Sequence, residues 1–329
     1  MRARPENWQR TVRTLGGLVR KLESIATGGE PLKVTFLIRS DTFMKVAFGE
    51  YAYSAGVSYS FFDGLRSKCH EIGWHPHMWR WSGDRWLAEL RDNQFIKGCL
   101  VNGYQFLHDF FPPTSVRIGW NFMSNEIMHT LESLGLQTDF SAQPGIKFQE
   151  LTQGYGCDWV GTRTTPYFPS RHDYRQPASE DGIKILEMPI TCTETPRFVR
   201  YARPLADRFR RINRSPTRHE PMNIAKNPIF NRDGFQRALN GLEHKHTRYI
   251  LTAFHPSDVA SSGLFSLRYL EQNLRHLLAL CRRQGVQLTT MTATEAADDF
   301  LAHHDPLRIP KDPDSTALNS AGDDSQRLA

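Results

Sequence analysis

Seven or so short apolar runs, each closed by polar residues and separated by helical stretches, constrain this chain's fold more than any other feature. The first, Val34-Thr35-Phe36-Leu37-Ile38, is rich in β-branched residues and ends at Arg39-Ser40-Asp41-Thr42. The run Val57 to Phe62, ended by Asp63-Gly64, reads as another buried strand, and further strands are expected at 70–73, 115–120, 137–140, 183–188, 248–254 and 286–291. Helical patterns fall between them at 7–26, 44–54, 81–107, 125–134, 235–242, 266–284 and 295–303. In the stretch 266–284, Leu267, Leu270, Leu274, Leu277, Leu278 and Cys281 form one apolar stripe. Such alternation favours an irregular (β/α) barrel of about seven parallel strands over an open doubly wound sheet. The Gly-rich first turn of a dinucleotide fold is missing.

At 329 residues the chain can bury a large core, and 39% hydrophobic with 23% charged residues suits a soluble globular protein. No run of 18 apolar residues is available to span a membrane. Residues 1–21 lack the apolar centre of a secretory signal, so a cytoplasmic location is expected. The five cysteines are scattered without CxxC pairing and read as reduced thiols. The expected organisation is an N-terminal helix within residues 1–30, a barrel domain over 31–304, and a disordered tail over 305–329. A basic insertion at about 193–232 carries eight arginines between Arg197 and Arg218, with prolines that limit regular structure. It reads as a solvated face or an anion patch, since no nucleic-acid-binding motif accompanies the formal charge of +6.

In a parallel barrel the chemistry sits where strands end. Asp41 follows the first strand and is a candidate ligand or base, or the N-cap of the next helix. His75 and His77 flank Pro76, so in an extended segment both imidazoles face one way. Two such rings with a carboxylate suit a divalent metal, most readily Zn²⁺; they equally suit a hydrogen-bonded or surface pair. His255 stands at the end of the 248–254 strand. The long irregular passage 141–182 reads as a binding loop, with Trp159, Arg163 and Tyr167 as substrate contacts. Trp79 and Trp120 offer faces on which a sugar ring can stack.

Taken in order over residues 32–300, these segments resemble the polysaccharide deacetylase family of metal-dependent carbohydrate de-N-acetylases. The resemblance lies in the strand ending at Asp41, in Phe61-Phe62 followed by His70-Glu71-Ile72-Gly73-Trp74-His75, in Arg117-Ile118-Gly119, and in Ile185-Leu186-Glu187-Met188-Pro189 and Phe254-His255-Pro256. It implies a metal held by Asp41, His75 and His77, with His255 as acid, Asp41 and Arg117 in the catalytic group, and Glu187 near substrate. The expected activity is removal of an acyl group, an N-acetyl above all, from a sugar or polysaccharide precursor, nucleotide- and lipid-linked sugars included. Two departures stand out. Trp79 occupies the place four after His75 where the family has its second histidine, and Arg39-Ser40-Asp41 has one acid where the family has two. Glu71, Asp84 and Asp258 are alternative bases. The other reading is a catalytically impaired protein that binds glycan or a partner biosynthetic enzyme.

Overall fold

The computed structural model describes residues 5–27, 30–195, 197–215, 219–240, 249–256 and 265–304. Five short strands form its central sheet: β1 (Thr35–Ile38), β2 (Glu71–Trp74), β3 (Ser115–Val116), β4 (Thr138–Asp139) and β5 (Leu186–Glu187). They pair in parallel, side by side, in the order in which the chain makes them. No reversal of strand order occurs along this sheet, as in a barrel wall and unlike a doubly wound sheet. All five C-terminal ends therefore open at one edge, where Asp41, His75, Arg117 and the β5 end converge.

Local chemistry fixes the crossover helices. Asp41 has extended backbone angles and its side chain accepts from Met44 N, capping the helix Thr42–Phe48, which Gly49 ends at φ +93°. Asp92, Ser124 and Ser266 cap the helices Asn93–His108, Asn125–Ser133 and Leu267–Arg283 in the same way, and Thr292 with Glu295 forms a capping box on Ala293–His303. The N-terminal helix Pro5–Glu23 adds Leu15, Leu18, Val19 and Leu22 to the main core. No helix among the described residues is long and apolar enough to cross a membrane.

Several expectations are corrected. Residues 57–62 are helical, not extended: Tyr53–Val57 and Tyr59–Arg66 are consecutive helices. Phe62 and Leu65, three apart, are buried while Val57 and Tyr59 face solvent, a spacing that no period-two strand provides. The expected helix at 81–107 begins only at Asn93, because Trp79–Trp81 and Trp86–Ala88 form an antiparallel hairpin before it. The basic insertion is more regular than its prolines suggest, with a helix Arg197–Phe209 that contains Pro204. Two of its arginines are ion-paired, Arg203 to Glu220 at 2.7 Å and Arg214 to Asp207 at 3.0 Å. The residues 249–254 and 286–291 carry no strand ladder. At Leu251 the backbone N–H is taken by the Thr191 hydroxyl at 3.0 Å rather than by a carbonyl, which interrupts pairing. Residue 248 and the tail 305–329 lie outside the described residues.

Glu71 closes the opposite, N-terminal end of the sheet. Its carboxylate accepts from the Thr35 hydroxyl at 3.2 Å, the Ser115 hydroxyl at 2.5 Å, and the Thr294 N–H and hydroxyl at 2.9 and 3.1 Å. It therefore joins β1, β2, β3 and the helix Ala293–His303 in one network and cannot act as a base at the other edge. Glu71→Ala is expected to lower unfolding free energy by about 3 kcal/mol, because several donors lose a charged acceptor at once. Urea denaturation measures this; a change below about 0.5 kcal/mol would show that the network is not structural.

Candidate active site

β1 delivers Arg39, Ser40 and Asp41 to the open edge, and the loop is anchored from below. The Ser40 hydroxyl donates to Gly103 O at 2.7 Å, and Trp74 Nε1 donates to Ser40 O at 3.0 Å. Asp41 is fully buried. Oδ1 accepts from Met44 N at 3.1 Å; Oδ2 accepts from Arg39 Nε at 2.5 Å and from His77 N at 3.2 Å, and lies 3.6 Å from His77 Nδ1. Burial alone would raise the Asp41 pKa, but the Arg39 guanidinium and His77 outweigh it and hold the carboxyl below its ordinary value. Asp41 is thus the N-cap, one of the readings its position in the sequence left open, and also an ion-pair partner of Arg39.

β2 delivers His75, whose N–H donates to Ile38 O at 2.8 Å. His75 Nδ1 donates to Arg117 O at 2.6 Å, which leaves Nε2 with the lone pair. Burial, then the nearby His77 and Arg117, push the His75 pKa well below its usual range, so the ring is neutral. The His77 ring stands 4.7 Å from that of His75 and 83° to its plane. Burial lowers its pKa too, against the opposing pull of Asp41, and its Nδ1 is buried without a hydrogen-bond partner among the described residues. His255 is exposed, with its ring 5.9 Å from that of His75.

An aromatic wall closes one side. Trp120 lies 4.7 Å from the His77 ring and 4.6 Å from Trp79, and stacks on Tyr155 at 5.5 Å. Trp120 and Asn121 both have φ near +56°, a left-handed conformation costly for a bulky side chain. The strained turn is pinned by hydrogen bonds, from Arg117 Nε to Asn121 Oδ1 at 3.0 Å and from Trp159 Nε1 to Asn121 O at 2.7 Å. Gly119 is needed beside it, since any Cβ there would collide with the His77 ring.

Beneath the mouth lies a pair that sequence reasoning missed. Asp139 and Glu187 stand opposite each other in the parallel register of β4 and β5, and neither is exposed. Asp139 Oδ1 accepts from the Ser141 hydroxyl at 2.6 Å, and Glu187 Oε1 accepts from Ala142 N at 3.0 Å. Their remaining oxygens, Oδ2 and Oε2, are buried without a hydrogen-bond partner among the described residues. Desolvation, then repulsion from Asp139, raises the Glu187 pKa well above its ordinary value; burial raises that of Asp139 as well. Both shifts favour keeping a proton in the pair, and Arg117 is the positive charge that both acids act on. Arg117 is itself lowered to about 10 by burial, against the pull of both acids. Glu187 was visible as an acid in the segment Ile185 to Pro189; its partner Asp139 was not, because 47 residues of chain intervene.

The structure brings Asp41, His75, His77, Trp79, Trp120 and His255 together, with Arg117 directly behind His75. Other expected contacts fall elsewhere. Tyr167 is fully buried, its hydroxyl donating to Tyr174 O at 3.0 Å and its backbone exchanging hydrogen bonds with Glu187. It is a wall of the fold rather than a free surface for a sugar, and buried Trp159 likewise supports the loop. Glu187 acts below Arg117 and not at an open face. Arg163 is half-buried on the loop beyond Trp159. Asp84 sits in the exposed hairpin turn, accepting from Ser82, and Asp258 lies outside the described residues.

A divalent metal at Asp41, His75 and His77 meets a mixed set of donors. His75 has the carbonyl-fixed tautomer that frees Nε2 for a ligand, and His77 Nδ1 is open. Asp41 does not fit, because the Arg39 guanidinium already lies on the oxygen that faces the imidazoles. Among the described residues no group of three or more His, Cys, Asp and Glu side chains is disposed to hold a metal ion.

No family model and no curated protein matches the chain. Among solved structures it is similar to a crystal structure from Mycobacterium smegmatis described as a "putative polysaccharide deacetylase", at 16% identity and a TM-score of 0.46, covering 89% of this chain and 77% of that one.

Two measurements test the geometry. A carboxyl whose pKa is raised on folding stabilises fully below its unfolded value and loses that contribution as pH climbs through the folded one. Wild-type stability should therefore fall above pH 4.5, the ordinary value for Glu187, with a slope of up to about 1.4 kcal/mol per pH unit. Glu187→Gln should lack this fall, and parallel curves for the two proteins would show that no proton is shared. Gly119→Ala should shift the His77 ring resonances in NMR spectra and cost about 1–3 kcal/mol by overpacking. Unchanged His77 signals would contradict the contact.

Proposed function

We propose that the protein is a hydrolase that removes an acyl group, an N-acetyl above all, from a sugar or polysaccharide precursor. The observation that carries this reading is the convergence of two neutral histidines, a buried carboxylate and a two-tryptophan wall at the open edge of the parallel sheet. His75 presents Nε2 to the mouth, fixed by its bond to the Arg117 carbonyl, and takes a proton from the attacking water. His255, the exposed imidazole beside it, gives a proton to the leaving amine. Trp79 and Trp120 receive the apolar face of a pyranose, and Arg163 extends the contact surface. The Arg117 carbonyl holds the His75 tautomer, and the Arg117 guanidinium, near Asp139 and Glu187, helps keep the His75 pKa low. No step is routed through a metal, since Asp41 is occupied by Arg39. We further read the sheet as the wall of an incomplete barrel continued by 249–254, in support of which Thr191 N donates to Leu251 O at 3.0 Å.

A second reading, a catalytically impaired member that binds glycan or a partner biosynthetic enzyme, is favoured by one observation. The Arg39 guanidinium neutralises Asp41, the carboxylate that stands at the mouth. Release of acetate from N-acetylated sugar donors separates the two. Wild type should release acetate, and His75→Ala should lose at least about 100-fold in rate. No release from any donor, with glycan binding retained, would establish the second reading.

A further inference from the structure

The unusual feature of the mouth is a cation supplied by the chain itself. Arg39 is anchored where it stands: its guanidinium lies 4.4 Å from the centre of the Phe43 ring, and its backbone carbonyl accepts from the Ser54 hydroxyl at 3.2 Å. Its Nε is 2.5 Å from Asp41 Oδ2, the same oxygen that accepts from His77 N and lies nearest the His77 ring. A metal ion shared between this oxygen and the imidazoles would need to approach to about 2.1 Å. It would do so on an oxygen already paired to a guanidinium, beside a fixed positive charge. Oδ2, the oxygen nearest the His77 ring, accepts from both Arg39 Nε and His77 N, so neither of its lone pairs is free until Arg39 moves away, while Oδ1 caps Met44 N. Arg39 Nη2, by contrast, is buried and has no hydrogen-bond partner among the described residues.

We propose that Arg39 is the resident cation of this site, standing where a divalent metal would otherwise bridge Asp41 and the two histidines, and that its open Nη2 donates to an acyl or carboxylate oxygen of the ligand. A guanidinium suits such a role, being planar, permanently charged and able to pair with two oxygens through adjacent N–H groups. His75 and His77 then serve as neutral hydrogen-bonding and proton-carrying groups rather than as ligands. The proposal rests on the mouth being the reaction site.

Cobalt(II) is the probe, because its visible absorption reports imidazole and carboxylate ligation directly. Purified full-length protein is equilibrated with cobalt(II), freed of unbound ion and assayed for retained metal and for its spectrum. Wild type should retain no stoichiometric cobalt. Arg39→Ala and Arg39→Gln, which uncover Asp41, should bind it at least on the order of 10–100-fold more tightly, and the added His75→Ala/His77→Ala change should abolish the gain. Stoichiometric cobalt in the wild type, lost from the His75→Ala/His77→Ala variant, would overturn the proposal. So would folded Arg39 variants that take up no more cobalt than wild type. The wild-type arm decides even where an Arg39 variant fails to fold. Acetate release is assayed separately in the presence of a chelator. Its absence, alongside the cobalt result expected here, would remove the hydrolase reading and leave the assignment of Arg39 standing.

Discussion

Buried charge has to be matched, and at the open edge of this sheet it is matched twice within a few residues. Asp41 is fully buried, and its charge is met by Arg39, two backbone N–H groups and the edge of His77. Arg117 is balanced by a carboxyl pair whose pKa values burial raises. Either balance would fail if one partner were removed, because an uncompensated buried charge costs several kcal/mol. The same arithmetic makes the mouth rigid: its imidazoles are held by groups that have nowhere else to go.

The Arg117 carbonyl links the two balances. Its guanidinium answers the acids below and lowers the His75 pKa, while its backbone oxygen receives His75 Nδ1 above and fixes the ring's tautomer. Strain is concentrated just beyond, at Trp120 and Asn121. Two left-handed residues in succession cost on the order of 1–3 kcal/mol each, and hydrogen bonds from Arg117 and Trp159 hold them in place. The product is a tryptophan face set against His77 and Trp79, which relaxed backbone would turn away.

Much of this was legible in the sequence where chemistry is local. The β-branched run before Asp41, the cap at Asp41 itself, and the stripe of the helix Leu267–Arg283 are written in neighbouring residues. His75-Pro76-His77 showed that two imidazoles would lie together, because their spacing is short. What stayed hidden was set by tertiary context. The apolar run 57–62 is too short for its length to decide between strand and helix, and only the burial of Phe62 and Leu65 decides it. The hairpin Trp79–Ala88 looks helical by composition, yet its pairing is what brings Trp79 to the mouth. Asp139 and Glu187 meet only through strand register. Arg39 was in plain view two residues from Asp41, but nothing in its spacing said that it would fold back onto that carboxylate.

The account's central claim is that His75 is a neutral ring locked by the Arg117 carbonyl, and long-range ¹⁵N–¹H NMR of labelled protein tests it most directly. The claim predicts a proton on Nδ1, a bare Nε2, and a His75 titration well below the ordinary value of 6.5. A His75 ring that carries its proton on Nε2, or titrates near its ordinary value of 6.5, would contradict it.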